Sequence, residues 1–221
     1  MRNRRTLALE RELYFYTIMH KRVNFYIDGF NFYFGLKSKN WKAYYWLDIV
    51  KFCERFLRPG QSLENVYYFT ATQKAKSKKD RQDLFFSANK LNPKFKLVFG
   101  KFLKKQIYTP HGIINTFEEK QTDVNIAVHM IKNVVFDKND ISVLVSGDSD
   151  LVPPIDFIRE LNPSHKIFCY FPPNRVSVDL MNSSDNYIKL ARYEHRFKKS
   201  MLPESITLDN GYIIKRPDKW K

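Results

Sequence analysis

Short apolar runs alternate with helix-periodic stretches along most of this chain, and that alternation limits the folds open to it. Residues 22–28, RVNFYID, form an apolar run ending in Asp-Gly, which predicts a buried strand. Residues 65–71, 95–103, 141–146 and 165–171 predict further strands. Between them, residues 46–57 space their apolar side chains as a helix does, and Pro59-Gly60 stops it. Residues 74–91 form a basic helical stretch, and 122–136 another helix with Thr122 as its N-cap. Residues 151–161 open a helix whose two prolines fit its first turn, and a short helix is expected near 176–182. Residues 104–118 read as a hairpin turning at His111-Gly112. Strands separated by helices imply βαβ units and a mostly parallel sheet covered on both faces. Ligands of such sheets collect beyond the carboxyl ends of the strands.

That rule directs attention to the residues that close the strands. Asp28 ends the first run, in YIDGFN; Asp148 and Asp150 follow the run 141–146, in SGDSD; Asp123 opens the helix at 122. On a parallel sheet all four can lie on one rim. Carboxylates gathered there repel one another unless a cation compensates or some are protonated. Mg²⁺ and Mn²⁺ favour carboxylate oxygen and retain several waters. An ion so held activates water and offsets charge on a phosphate, and two ions about 3.5–4 Å apart clamp attacking and leaving oxygens. Each aspartate also has a plainer use. Asp28 suits a turn, Asp123 complements a helix dipole, Asp148 or Asp150 caps the next helix, and Asn31 suits a turn.

Charge points the same way. Lys and Arg number 38 against 23 Asp and Glu, a formal charge of +15, which attracts nucleic acid, acidic membrane or acidic protein. The densest basic stretch, 74–81, carries Lys74, Lys76, Lys78, Lys79 and Arg81; Lys101, Lys104 and Lys105 come next, and a basic segment ends the chain. These are the expected nucleic-acid contacts, against the alternative of a solvated face. Phe30, Phe32 and Tyr33 flank the acidic positions and serve either as core or as stacking platforms for unpaired bases.

Other chemistries find less support. Cys53 and Cys169 fall in an expected helix and strand, so buried free thiols in a reducing compartment are the reading. Two Cys and five scattered His do not spell a zinc site. No Ser-His-Asp arrangement stands out, and with seven glycines there is neither a phosphate loop nor a dinucleotide fingerprint. No apolar run approaches the roughly 20 residues of a membrane span. The basic start, residues 1–20, is interrupted by Glu10, Arg11 and Glu12 and reads as an extension, not a signal peptide. The cytoplasm is the expected compartment.

At the residues just named the sequence resembles the NYN domain family, a branch of the PIN-like nucleases. The resemblance rests on YIDGFNFYFG (26–35), EKQTDVNIAVHMI (119–131) and VSGDSDLVPPIDFI (145–158), with a weaker echo in 171–190. It implies an α/β, Rossmann-like three-layer domain over 21–192, between an extension at 1–20 and a basic segment at 193–221. It also implies a metal site on Asp28, Asp123, Asp148 and Asp150, with Asn31 orienting water or a carboxylate, and hydrolysis of RNA phosphodiesters. His129 stands where many members carry an acid, and Leu151 where Phe is common.

Three functions follow. The first is a Mg²⁺- or Mn²⁺-dependent ribonuclease acting on RNA, expected to be single-stranded, through Asp28, Asn31, Asp123, Asp148 and Asp150. The second is a non-catalytic nucleic-acid-binding module. The third is an oxidoreductase of a small aromatic compound, because some proteins resembling this family are described as hydroxylases of pyridine compounds. No membrane partner is expected, and a homodimer stays open.

Overall fold

The computed structural model describes residues 20–73, 75–110 and 112–221. The expected extension at 1–20 lies almost wholly outside them, as do Lys74 and His111. Six strands form one all-parallel sheet. They are β1 (Lys21–Asp28), β2 (Gln61–Thr70), β3 (Phe95–Phe99), β6 (Ile141–Val145), β7 (Lys166–Phe171) and β8 (Asn186–Lys189), in the spatial order β3-β2-β1-β6-β7-β8. Between β3 and β6 the chain inserts an antiparallel hairpin, β4 (Lys101–Thr109) with β5 (Gly112–Lys120), as a separate two-stranded sheet. Two short strands, β9 (Ser205–Thr207) and β10 (Ile213–Lys215), pair near the end.

Alternation along the strands divides the core into two layers. Val23, Phe25 and Ile27 of β1 point to one face with Ile141, Val143 and Val145 of β6. There they meet helices α1 (Gly29–Ser38), α2 (Ile49–Glu54) and α3 (Lys76–Asn89). Tyr26, Phe69, Leu144 and Cys169 point to the other, against α4 (Thr122–Val135) and α5 (Val152–Leu161), with Leu180 of α6 (Val178–Ser183). Burial on both faces is why these strands read as near-continuous apolar runs. Both cysteines are free and buried. Among the described residues, no helix is long and apolar enough to cross a membrane.

Several boundaries differ from the sequence reading, each for a local reason. The expected helix 46–57 shrinks to α2, because Asp48 accepts a hydrogen bond from Lys51 N at 2.9 Å and caps it there. Leu47 instead bridges to Met201. The expected strand 95–103 breaks at Gly100, whose N–H bonds Thr70 O at 2.7 Å, so its second half starts the hairpin. Thr122 is not the cap of α4. Gln121 is, in the left-handed region at φ 78°, and Thr122 is buried as the first helical residue. Helix α1 was not legible as a helix, because its outer face carries the exposed Tyr33 and Phe34 and hides the usual apolar stripe.

The segment after β8 folds back onto the sheet's first layer. Phe197, in the short helix α7 (Glu194–Lys198), is fully buried with its ring 4.4 Å from Phe52 and 5.2 Å from Trp41. Arg216 then ties three places together, donating to Glu204 Oε1 at 2.7 Å, to Ala43 O at 3.1 Å and to the Trp220 carbonyl. The basic C-terminal segment is thus a structural part of the domain's core.

At the amino end of the sheet lies a buried polar network. Asn139 Nδ2 donates to Ser142 Oγ at 3.0 Å, and Ser142 Oγ lies 2.9 Å from His165 Nε2. Burial pushes His165 down to about 4, against an upward pull from Asp140 and Asp185. The folded protein therefore keeps a neutral imidazole that the unfolded chain, with an ordinary value of 6.5, protonates. This contribution to stability is complete above pH 6.5 and is lost as pH falls toward 4. In urea titrations, His165→Asn should flatten the decline in stability across that window by on the order of 2 kcal/mol; parallel pH profiles for the two proteins would contradict this account.

Candidate active site

The sheet order reverses between β1 and β6, since the chain builds outward from β1 to β3 and then returns to the other side of β1. A crevice opens at such a switch point, beyond the carboxyl ends of the strands. Asp28 is the last residue of β1 and the N-cap of α1. Its Oδ1 accepts from the backbone N–H groups of Phe30 at 3.1 Å and Asn31 at 3.0 Å. The strand-to-helix turn fixes this carboxylate and satisfies the helix's first orphan donors. Gly29 permits the turn: a Cβ there would lie 2.6 Å from Phe69 O and 2.6 Å from the Tyr68 ring.

Across the crevice, the loop after β6 approaches the same carboxylate. Ser146 Oγ donates to Asp28 Oδ2 at 2.9 Å and accepts from Asp148 N at 3.2 Å. Gly147 N donates to Asn31 Oδ1 at 3.3 Å. Asp148 Oδ1 accepts from Asp150 N at 3.1 Å, capping the 3₁₀ turn Ser149–Leu151 that leads into α5. The turn use foreseen for Asp148 is therefore real, and it leaves the side chain's other oxygen for a second role. Gly147 packs against the loop after β7, where its Cβ would meet Arg175 backbone at 2.9 Å.

The resulting electrostatics are costly. Asp28 is only 3% exposed. Burial raises its carboxyl above the ordinary range, the hydrogen bonds from Asn31 and Ser146 oppose that shift, and the charge of Asp148 adds to it. Burial and the Asp28 charge likewise raise the neighbouring Tyr68 phenol. A buried carboxylate beside a second one is a place where a cation is stabilising.

Asp28, Asn31 and Asp148 are thus brought together, with Asp150 one turn beyond and exposed. Asp123 stands in the first turn of α4, half-buried. That helix end abuts the carboxyl end of β3, where Asn125 Nδ2 donates to Phe99 O at 3.4 Å, and α4 shares a core with Leu151. Among the described residues, no three His, Cys, Asp or Glu side chains are gathered as ligands of one ion. The two carboxylates of Asp28 and Asp148 nevertheless fit a hard divalent cation that keeps most of its waters, as Mg²⁺ does with one or two carboxylates. His129, the departure from the resembled pattern, donates from Nδ1 to the Asn125 carbonyl oxygen at 2.8 Å and packs on the rings of Tyr67 and Phe69.

Of the expected nucleic-acid contacts, Lys76, Lys78 and Lys79 are exposed on the first turns of α3, and Arg81 follows half-buried. Lys104 and Lys105 lie exposed on β4. Phe32 is core, 3% exposed, and its stacking role is withdrawn, whereas Tyr33 is 38% exposed. Sequence reasoning missed Ser146, whose hydroxyl joins the Asp28 carboxylate to the backbone N–H of Asp148. Its only signal was its place before Gly-Asp, where it reads as one more turn former.

The NYN domain signature matches residues 22–191. The chain belongs to the NYN domain family. This is a nuclease-type α/β fold, and the three-layer architecture with its parallel sheet agrees with it. A relative from Pseudomonas putida (strain DSM 28022 / S16), 6-hydroxy-3-succinoylpyridine 3-monooxygenase HspA, is 27% identical over 62% of this chain. The chain spans 55% of that relative's length. A crystal structure of a protein of unknown function from Vibrio parahaemolyticus RIMD 2210633 superposes with a TM-score of 0.52 at 14% identity, covering 77% of this chain and 93% of that one. It supports the fold alone.

The tight turn at Asp28 generates a prediction. Gly29→Ala forces β2 and the Tyr68 ring away from α1 and should lower unfolding free energy by roughly 1–3 kcal/mol, read by urea denaturation. An unchanged midpoint would mean that the close approach is not binding.

Proposed function

We propose that this NYN protein is a divalent-metal-dependent ribonuclease acting on single-stranded RNA. The observation that carries the proposal is the Asp28–Ser146–Asp148 linkage, which holds a buried carboxylate beside a second one at the sheet's switch point. Asp28 and Asp148 would hold a divalent ion, which when bound would activate water for attack and offset phosphate charge. Asp28 is held by three hydrogen bonds, so its oxygens do not need to reorganise when a ligand arrives. Asn31, fixed through its carbonyl oxygen by Gly147, also hydrogen-bonds Asp28 through its side chain, and in this reading it orients that carboxylate. Asp123 and Asp150 act at the edge of the site through water. Lys76, Lys78, Lys79 and Arg81 on one side and Lys104 and Lys105 on the other neutralise the strand's backbone, with Lys74 assigned to the same patch from sequence alone.

The test uses purified protein, labelled single-stranded RNA and Mn²⁺. Wild type should cleave, and Asp28→Asn and Asp148→Asn should each lose at least 100-fold in rate while keeping their fold by circular dichroism. Cleavage by wild type no faster than by Asp148→Asn, across several RNAs, would defeat the proposal. RNA binding that survives chelator without any turnover would mark the non-catalytic module.

One observation favours a second reading, an oxidoreductase of a small aromatic compound. The relative's name states a monooxygenase of a hydroxylated, succinoylated pyridine, and this chain has a ring-sized aromatic cavity beside Asp28. Under that reading, reduced nicotinamide cofactor is consumed when a hydroxypyridine is added, and Asp148→Asn leaves the consumption unchanged.

A further inference from the structure

A cavity of about 180 Å³ opens between α1, α3, the 3₁₀ turn Lys42–Tyr45 and the turn Asp218–Trp220. It begins at Gly29 and Thr70, the residues that follow Asp28 on β1 and end β2. An apolar cavity of about 150 Å³ holds one benzene ring, so this space suits a single flat heterocycle. Rings make its walls: Tyr33 and Tyr45 are 5.0 Å apart, Tyr45 and Trp220 5.9 Å, and Trp220 and Phe85 6.5 Å. Burial pushes the Tyr45 phenol up to about 12, with Tyr33 adding to the shift, so it stays a neutral donor. Lys37, Lys78 and Arg81 supply positive charge to the same lining.

Aromatic walls with cations suit a flat ring joined to an anion. The aromatic faces take a base of any identity, and the cations take the phosphate attached to it. The cavity starts at Gly29, next in the chain to the proposed catalytic carboxylate. We propose that this cavity is a nucleobase pocket, which holds one unpaired base of an RNA strand and thereby sets the neighbouring phosphodiester against Asp28 and Asp148. The inference rests on the ribonuclease reading for its substrate. It differs from that reading in what it predicts, because base capture needs no metal and no turnover.

The experiment therefore runs in chelator on the full chain. Fluorescence anisotropy compares a single-stranded RNA with an abasic ribose-phosphate strand of equal length. Wild type should prefer the base-bearing strand by at least tenfold. Tyr45→Ala should erase the preference and Tyr45→Phe should keep it. Arg81→Ala should weaken both strands alike. Should Tyr45→Ala fail to fold, wild type alone decides: RNA carrying 4-thiouridine should photo-crosslink to Tyr33, Tyr45 or Trp220, located by mass spectrometry.

Equal affinity for the two strands, or crosslinks confined to the β4–β5 hairpin, would overturn the pocket. A protein that passes these tests yet never cleaves RNA keeps its pocket and loses the ribonuclease reading. One that cleaves without preferring bases keeps the ribonuclease reading and loses the pocket.

Discussion

The carboxylate of Asp28 sets the geometry around it. It ends the central strand, starts the first helix and receives the serine hydroxyl that positions the next acidic loop. Each of these jobs constrains its neighbours. The helix can start where it does only because Gly29 lets β2 pass close by. The acidic loop can reach across only because Gly147 lies flat against Arg175. A buried acid beside another acid is unfavourable in isolation, and here backbone donors and a hydroxyl hold it in place. Stability given up at one point and recovered from the surrounding packing is the usual condition of a functional site.

The sheet explains why sequence-distant residues meet. The strand order places the ends of β1 and β6 side by side although their closing residues are more than a hundred positions apart. Two chemically distinct zones then share one rim. Beside β6 the rim is acidic and polar; beside β2 it is aromatic and basic. Under the proposed function, a divalent cation held on the acidic zone would let the phosphates of an RNA strand meet it while the bases meet the rings.

Much of this was legible in the chain. Apolar runs such as 141–146 and 165–171 read correctly as strands because both of their faces are buried, and Asp28 and Asp148, which follow two such runs, fell at the rim because strand ends do. Helix α1 escaped notice because Tyr33 and Phe34 line a surface pocket and so break the apolar period that betrays a helix. The hairpin's true start at Lys101 was missed because the single mark of a break in 95–103 is Gly100, and a lone glycine in an apolar run does not say that the chain changes sheet. Ser146 was invisible, since a hydroxyl that links a carboxylate to the backbone of the next acidic loop looks, in one dimension, like any serine in a turn. The approach of Asp123 depends on how α4 docks, which periodicity does not encode.

The cavity wall has an unusual provenance. Tyr45 and Gly29 belong to the stretch that defines the family, but Trp220 arrives from well beyond it, held by the Arg216 clamp. The acidic rim and the ring-lined chamber are thus under separate control. On the ribonuclease reading, exchanging the segment that carries Trp220 would reshape the chamber and leave Asp28 and Asp148 as they are.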